Sequence, residues 1–138
     1  MGMGVPSAIA SSLRDTNRQV VCFVGDGGFL MTGNEMILAS EYNLPIKFIV
    51  SNNSSFGTIR LYQEKSHPDR TLATDLCNPD FVAVAEAYGI KGYRIEDDNQ
   101  IASVIKAAFS LEGPCLIDVK TSLEYISAYT TISELREE

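Results

Sequence analysis

Along the 138-residue chain, short, mainly apolar runs alternate with longer stretches whose apolar residues fall on one side. Val20 to Val24 is a wholly apolar run, while Ile46 to Val50, Cys115 to Val119 and the shorter Tyr93 to Ile95 each hold one charged residue. Runs of this length predict buried strands. Between them the spacing predicts helices at Pro6 to about Arg14, about Asn34 through Tyr42, Phe56 to about Lys65, Phe81 through Tyr88, and about Gln100 to Leu111. The punctuation agrees: Pro6 suits a first turn, Leu44-Pro45 breaks one helix, and Gly113-Pro114 closes another. Asn78 is expected to cap the Phe81 helix with Pro79 in its first turn and Gly89 as its stop. Ser66 to Asn78 contains Pro68 and no sustained periodicity, and predicts a loop.

Strand and helix alternate without hairpin signals, which implies right-handed crossovers and an α/β fold. The expectation is a three-layer α/β/α domain over residues 1–138, with a mainly parallel sheet covered on both faces. The opening Met1-Gly2-Met3-Gly4-Val5 is glycine-rich and has no strand leading into it, so the fold is expected to be truncated at its N-terminus. Thr121 to Glu138 is polar and weakly periodic, and is expected to fray unless it docks on another subunit.

Charge narrows the function. A formal net charge of −7 opposes nonspecific attraction to nucleic acid or anionic lipid. Arg60, Lys65, His67 and Arg70 form the one basic cluster, read as a solvated helix face and loop. Cys22, Cys77 and Cys115 are odd in number, lack a CxxC pair and have no His at a zinc spacing. They read as buried, reduced thiols of a cytoplasmic protein. No apolar run approaches the roughly 20 residues of a membrane span, and the start lacks a signal-like apolar core.

The chemistry concentrates at two strand ends. Asp26 follows the first predicted strand in the turn Gly25-Asp26-Gly27-Gly28, and Asn52-Asn53 follows the second, 27 positions from Asp26 to Asn53. Ligands of open α/β sheets bind at the carboxyl ends of strands, so both oxygen-bearing side chains arrive at one edge. A carboxylate and an amide oxygen are hard donors that suit Mg²⁺ or Ca²⁺. The glycines permit a tight turn, and the start of the following helix offers amide hydrogens to an anion. Each motif alone also reads as ordinary turn or capping chemistry. The dinucleotide fingerprint fits worse because its final glycine is missing, and a Walker A pattern is absent.

With GDG at one end and NN at the other, the sequence resembles the carboxy-terminal, diphosphate-binding domain of acetolactate-synthase-like thiamine diphosphate enzymes. The resemblance implies that Asp26 and Asn53 ligate Mg²⁺ through side-chain oxygens and Ser55 through its backbone carbonyl. Two diphosphate oxygens and a water would complete an octahedron. It also implies that Gly25, Gly27 and Gly28 present backbone to the diphosphate, and that Phe56, Gly57 and Thr58 continue the cofactor loop. Met1 falls where the family places a bulky apolar residue that props thiamine into its bent shape. Tyr62 stands where many acetolactate synthases carry a tryptophan near the substrate entrance.

In this family the cofactor's thiazolium carbon attacks a 2-oxoacid and its ring stores electrons as carbon dioxide leaves. A glutamate from the pyrimidine-binding domain of a neighbouring subunit activates it, and no such domain is recognisable in this chain. Glu35 and Glu41 read as structural or solvent-facing, Glu64 and His67 either as surface residues, the favoured reading, or as residues that approach substrate, and no catalytic acid or base is assigned. The resemblance therefore implies a domain or subunit of a 2-oxoacid decarboxylase or carboligase that needs a pyrimidine-binding partner. A homodimer through this domain is expected, since an isolated half-site leaves apolar surface exposed. The alternatives are a noncatalytic Mg²⁺-diphosphate binding or assembly module and, less well matched, a nucleotide-binding α/β domain.

Overall fold

The computed structural model describes residues 1–137. Four parallel strands, β1 (Val20–Gly25), β2 (Ile46–Asn52), β3 (Lys91–Ile95) and β4 (Cys115–Lys120), form one sheet in the order β1-β2-β4-β3. The strands are those the apolar runs predict, each extended by one or two residues at an end. Register places Val50 opposite Asp118 and Arg94 opposite the same residue.

The period of two divides the sheet residues between two cores. Cys22, Ile46, Phe48, Val50 and Leu116 pack on one face against α1 (Gly4–Arg14), α2 (Asp26–Thr32), α3 (Ile37–Glu41) and α5 (Phe81–Ala87). Ile49, Tyr93, Ile95, Cys115 and Ile117 pack on the other against α6 (Asp98–Phe109). This second layer does not reach β1, where Val21 and Phe23 are exposed. The expected cover on both faces therefore stops one strand short. Two more helices, α4 (Gly57–Ser66) and α7 (Ile132–Glu137), pack on one another.

Three local expectations are corrected. The glycine turn is itself a helix: α2 begins at Asp26, and a 3₁₀ turn over Gly33–Met36 joins it to α3 in place of one continuous helix from Asn34. Burial outweighs the low helix propensity of these glycines. Phe29 is buried, stacks edge-on against Phe81 at 5.3 Å, and lies so close to Gly33 that a Cβ there would meet its ring at 2.7 Å. Asn78 does not cap α5. Asp80 does, accepting from the Val82 and Ala83 backbone N–H groups. Finally, the tail docks on its own chain: Arg136 of α7 reaches Glu64 of α4. Glu138 lies outside the described residues.

The buried lysine of the sheet is paired. Lys47 is fully buried, and its Nζ donates to the carbonyls of Leu111 and Gly113, both at 2.7 Å, holding the loop that enters β4. Burial lowers its pKa. Asp97 caps α6 in a capping box with Gln100. Cys22 and Cys115 are buried free thiols as expected, with the Cys22 pKa raised to about 11 by burial; Cys77 is exposed, contrary to the same expectation.

Candidate functional site

At the carboxyl end of β1 a cavity of about 450 Å³ opens between the N-terminal segment, the β1–α2 junction and the start of α4. It collects Met1, Gly25, Asp26, Gly27, Gly28, Ser55, Phe56, Gly57 and Thr58, which the sequence expectation assigned to one cofactor. Asn53 does not line it. Gly27 is there for contact. The Phe56 ring lies directly on Gly27, where a Cβ would stand 2.5 Å from two ring carbons, so the two predicted segments meet through a missing side chain. Thr32 Oγ1 donates to the Gly2 carbonyl at 2.6 Å and ties the N-terminal wall to α2.

The loop after β2 is held by backbone. Asn53 Oδ1 accepts from the Ser55 N–H at 3.0 Å, an Asx turn in which Ser54 takes the left-handed φ of 56°. Ser55 Oγ and the Phe56 N–H both donate to the Thr74 carbonyl, and the Leu76 N–H donates to the Ser54 carbonyl. The Ser55 carbonyl accepts from the Gly57 N–H at 2.8 Å, which leaves it a second lone pair. A Cβ at Gly57 would stand 3.0 Å from the Asn53 side-chain nitrogen, tighter than ordinary contact.

Asp26 is 2% exposed. Its Oδ1 accepts from the Gly27 N–H at 2.9 Å and its Oδ2 from Asn78 Nδ2 at 2.7 Å. None of the ion pairs among the described residues includes it. Among the described residues, the cavity wall contains no Lys, Arg or His and no second carboxylate. A buried carboxylate without a cationic partner is costly, so a cation from outside the chain would be favoured here. The donors on offer are oxygens, which suit a hard ion. No group of three His, Cys, Asp or Glu side chains comes together among the described residues, so a cation here would draw its other ligands from carbonyl oxygens, water or a bound anion.

Residues 1–119 match the family described as "Thiamine pyrophosphate enzyme, C-terminal TPP binding domain". The chain belongs to this family. It is 39% identical over 123 residues to the acetolactate synthase large subunit of Lactococcus lactis, a match covering 88% of this chain and 21% of that protein. It is 39% identical over 119 residues to the acetolactate synthase of Bacillus subtilis, covering 86% and 21%. Against the probable acetolactate synthase large subunit of Methanococcus aeolicus it is 36% identical over 119 residues, covering 86% and 20%. The chain thus spans about a fifth of the length of these relatives.

Other residues singled out by sequence lie outside the cavity of this thiamine pyrophosphate-binding domain. Tyr62 and His67 are exposed, Glu35 is half-buried and Glu41 is exposed. Glu64 is not the surface residue expected: it is fully buried, bonded by Arg136 and by the Asp69 N–H, with Arg60 alongside. The Arg136 hydrogen bond is the main reason its pKa is lowered. Within the basic cluster Arg60 is paired with Asp75, while Lys65, His67 and Arg70 are exposed.

Sequence reading missed a polar network behind Asp26. Asn78 Nδ2 also donates to Asn52 Oδ1 at 2.9 Å, Asn52 Nδ2 donates to Asp118 Oδ1 at 2.8 Å, and Asp118 is flanked by Arg94 and Lys120, each at 3.4 Å. Arg94 continues to Asp80, the α5 cap. One signal was available: Asp118 interrupts the apolar run of β4, and a charge there needs partners.

Proposed function

We propose that this chain is the diphosphate-binding half of an acetolactate-synthase-like 2-oxoacid decarboxylase or carboligase, and that it holds thiamine diphosphate through Mg²⁺. The observation that carries this reading is the charge of the cavity: one buried, unpaired carboxylate and no basic side chain. Among the side chains of the wall, a diphosphate entering alone would meet only the like charge of Asp26. A divalent cation between them reconciles the two.

In this reading Asp26 and the Ser55 carbonyl are ligands on the cavity side. Asn53 joins them by family resemblance, its side chain standing at the turn that presents Ser55. Gly25, Gly27 and Gly28 offer backbone to the diphosphate, Phe56, Gly57 and Thr58 form the opposing wall, and Met1 supports the thiamine rings. The bound cofactor supplies the nucleophilic carbon and electron sink for 2-oxoacid chemistry. The residues of this chain orient it and fix its phosphate end.

The activating glutamate comes from a pyrimidine-binding domain. Asp26 is the single acidic residue of the cavity wall and is committed to the metal, which supports this division of labour. The rim supports it too: Met1, Met3 and Phe23 are 70%, 68% and 73% exposed beside the cavity, an apolar surface suited to a covering domain and to a homodimer. Three free cysteines favour the cytoplasm.

Calorimetry with thiamine diphosphate, with and without Mg²⁺, tests the cofactor reading. Metal-dependent binding by the wild type and its loss in Asp26→Ala are expected; no metal-dependent binding by folded protein at about millimolar cofactor counts against the reading. Adding a pyrimidine-binding domain and following pyruvate decarboxylation tests the enzyme reading. Assembly with that domain without turnover favours a noncatalytic binding module instead.

A further inference from the structure

We infer that Asn78 is a positioning residue for Asp26, setting the orientation of the carboxylate that receives the metal; this rests on the Mg²⁺ reading of the site. Both hydrogens of the Asn78 amide are used, one on Asp26 Oδ2 at 2.7 Å and one on Asn52 Oδ1 at 2.9 Å. Asp80 takes over the cap of α5, so no helix competes for the Asn78 side chain.

The direction of these bonds is dictated from the far end. Asp118 is a carboxylate and only accepts, so Asn52 must turn its NH₂ toward Asp118 and its oxygen toward Asn78. Asn78 must then give NH₂ to both of its neighbours. The Asn78 Oδ1 that results is buried without a partner, an arrangement that persists only because the two acceptors outweigh it.

Asp118 is a fixed anchor. It is fully buried in β4, and Arg94 and Lys120 compensate its charge. Strand register puts Arg94 and Val50 directly across from it, and the period of two places Asn52, two residues after Val50, on the same face. The two neutral amides therefore transmit position from the sheet to Asp26 without neutralising it. With the Gly27 N–H on Oδ1 and Asn78 on Oδ2, each carboxylate oxygen has one fixed bond and spare acceptor capacity.

Partners that orient a metal ligand typically change metal affinity about 10–100-fold when removed. The test is Mn²⁺ uptake by the full chain with thiamine diphosphate present, read from loss of the free-ion paramagnetic resonance signal. Wild type is expected to bind Mn²⁺ in a cofactor-dependent way, and Asn78→Ala to bind about 10–100-fold more weakly. Asp97→Ala, which removes the unrelated α6 cap, is expected to leave Mn²⁺ affinity unchanged. Asn78→Ser, with one hydroxyl hydrogen in place of two, is expected to lose a smaller factor and replaces Asn78→Ala should that variant unfold. Unchanged Mn²⁺ affinity in a folded Asn78 variant, beside a wild type that binds, overturns the positioning role and leaves the metal reading standing. No uptake by folded wild type overturns the metal reading and the positioning role with it.

Discussion

Glu64 and Arg136 meet in a two-point ion pair, with Arg136 nitrogens 2.7 and 3.2 Å from the two carboxylate oxygens, and Glu64 has no exposure to solvent. The pair joins α4, whose first turn walls the cavity, to the last helix of the chain.

Removing Arg136 strands a buried carboxylate, which Arg60 and the Asp69 N–H compensate only in part. Arg136→Ala is expected to lower the thermal midpoint by about 5–10 °C, and Arg136→Ala with Glu64→Gln by less, because the stranded charge is gone. Thermal unfolding followed by circular dichroism measures both.

The same pair makes stability depend on pH. Glu64 titrates below the ordinary carboxyl value of 4.5, chiefly through the Arg136 hydrogen bond, so its contribution is complete above that value and is lost as pH falls through the lower, folded value. Glu124 and Glu134 are also lowered, by hydrogen bonds from Ser133 and from the Thr131 N–H respectively, and add in the same sense. Denaturant midpoints are expected to fall from pH 5 downward, less steeply in Glu64→Gln; equal slopes would exclude Glu64 as a contributor.

Gly27→Ala forces a methyl into the Phe56 ring. The expected cost is about 1–3 kcal/mol of stability, as for other overpacked sites, with weaker cofactor binding as the Phe56 wall shifts. In a Phe56→Ala background the same substitution should cost much less, and a double-mutant cycle by urea denaturation reads the difference.

Lys47→Met keeps the buried stem and deletes the ammonium that bonds Leu111 and Gly113. Leaving those carbonyls unpaired is expected to cost about 1–3 kcal/mol. Hydrogen exchange should show faster opening of the loop entering β4, while the proposed Mg²⁺ binding, at the opposite end of the strands, stays unchanged.

Local pattern determined the strands, because short, mainly apolar, β-branched runs bounded by turn residues are satisfied by burial in a sheet, and it determined the family, because Gly25-Asp26-Gly27 and Asn52-Asn53 stand a fixed distance apart in the chain. It also brought Asp26, Gly27, Ser55 and Phe56 to one strand edge. Tertiary structure decided the rest. Asn78 and Pro79 carry a helix-start pattern, yet the cap passes to Asp80 because Asn78 lies within reach of Asp26 and Asn52, residues 52 and 26 positions away. Glu64 looks like a surface helix acid until Arg136 arrives from 72 positions on. The glycines after Asp26 look like a turn until Phe29 buries itself against Phe81. In each case the residue follows a long-range partner and not its local preference, and a partner distant in sequence leaves no mark on the pattern around the residue it holds.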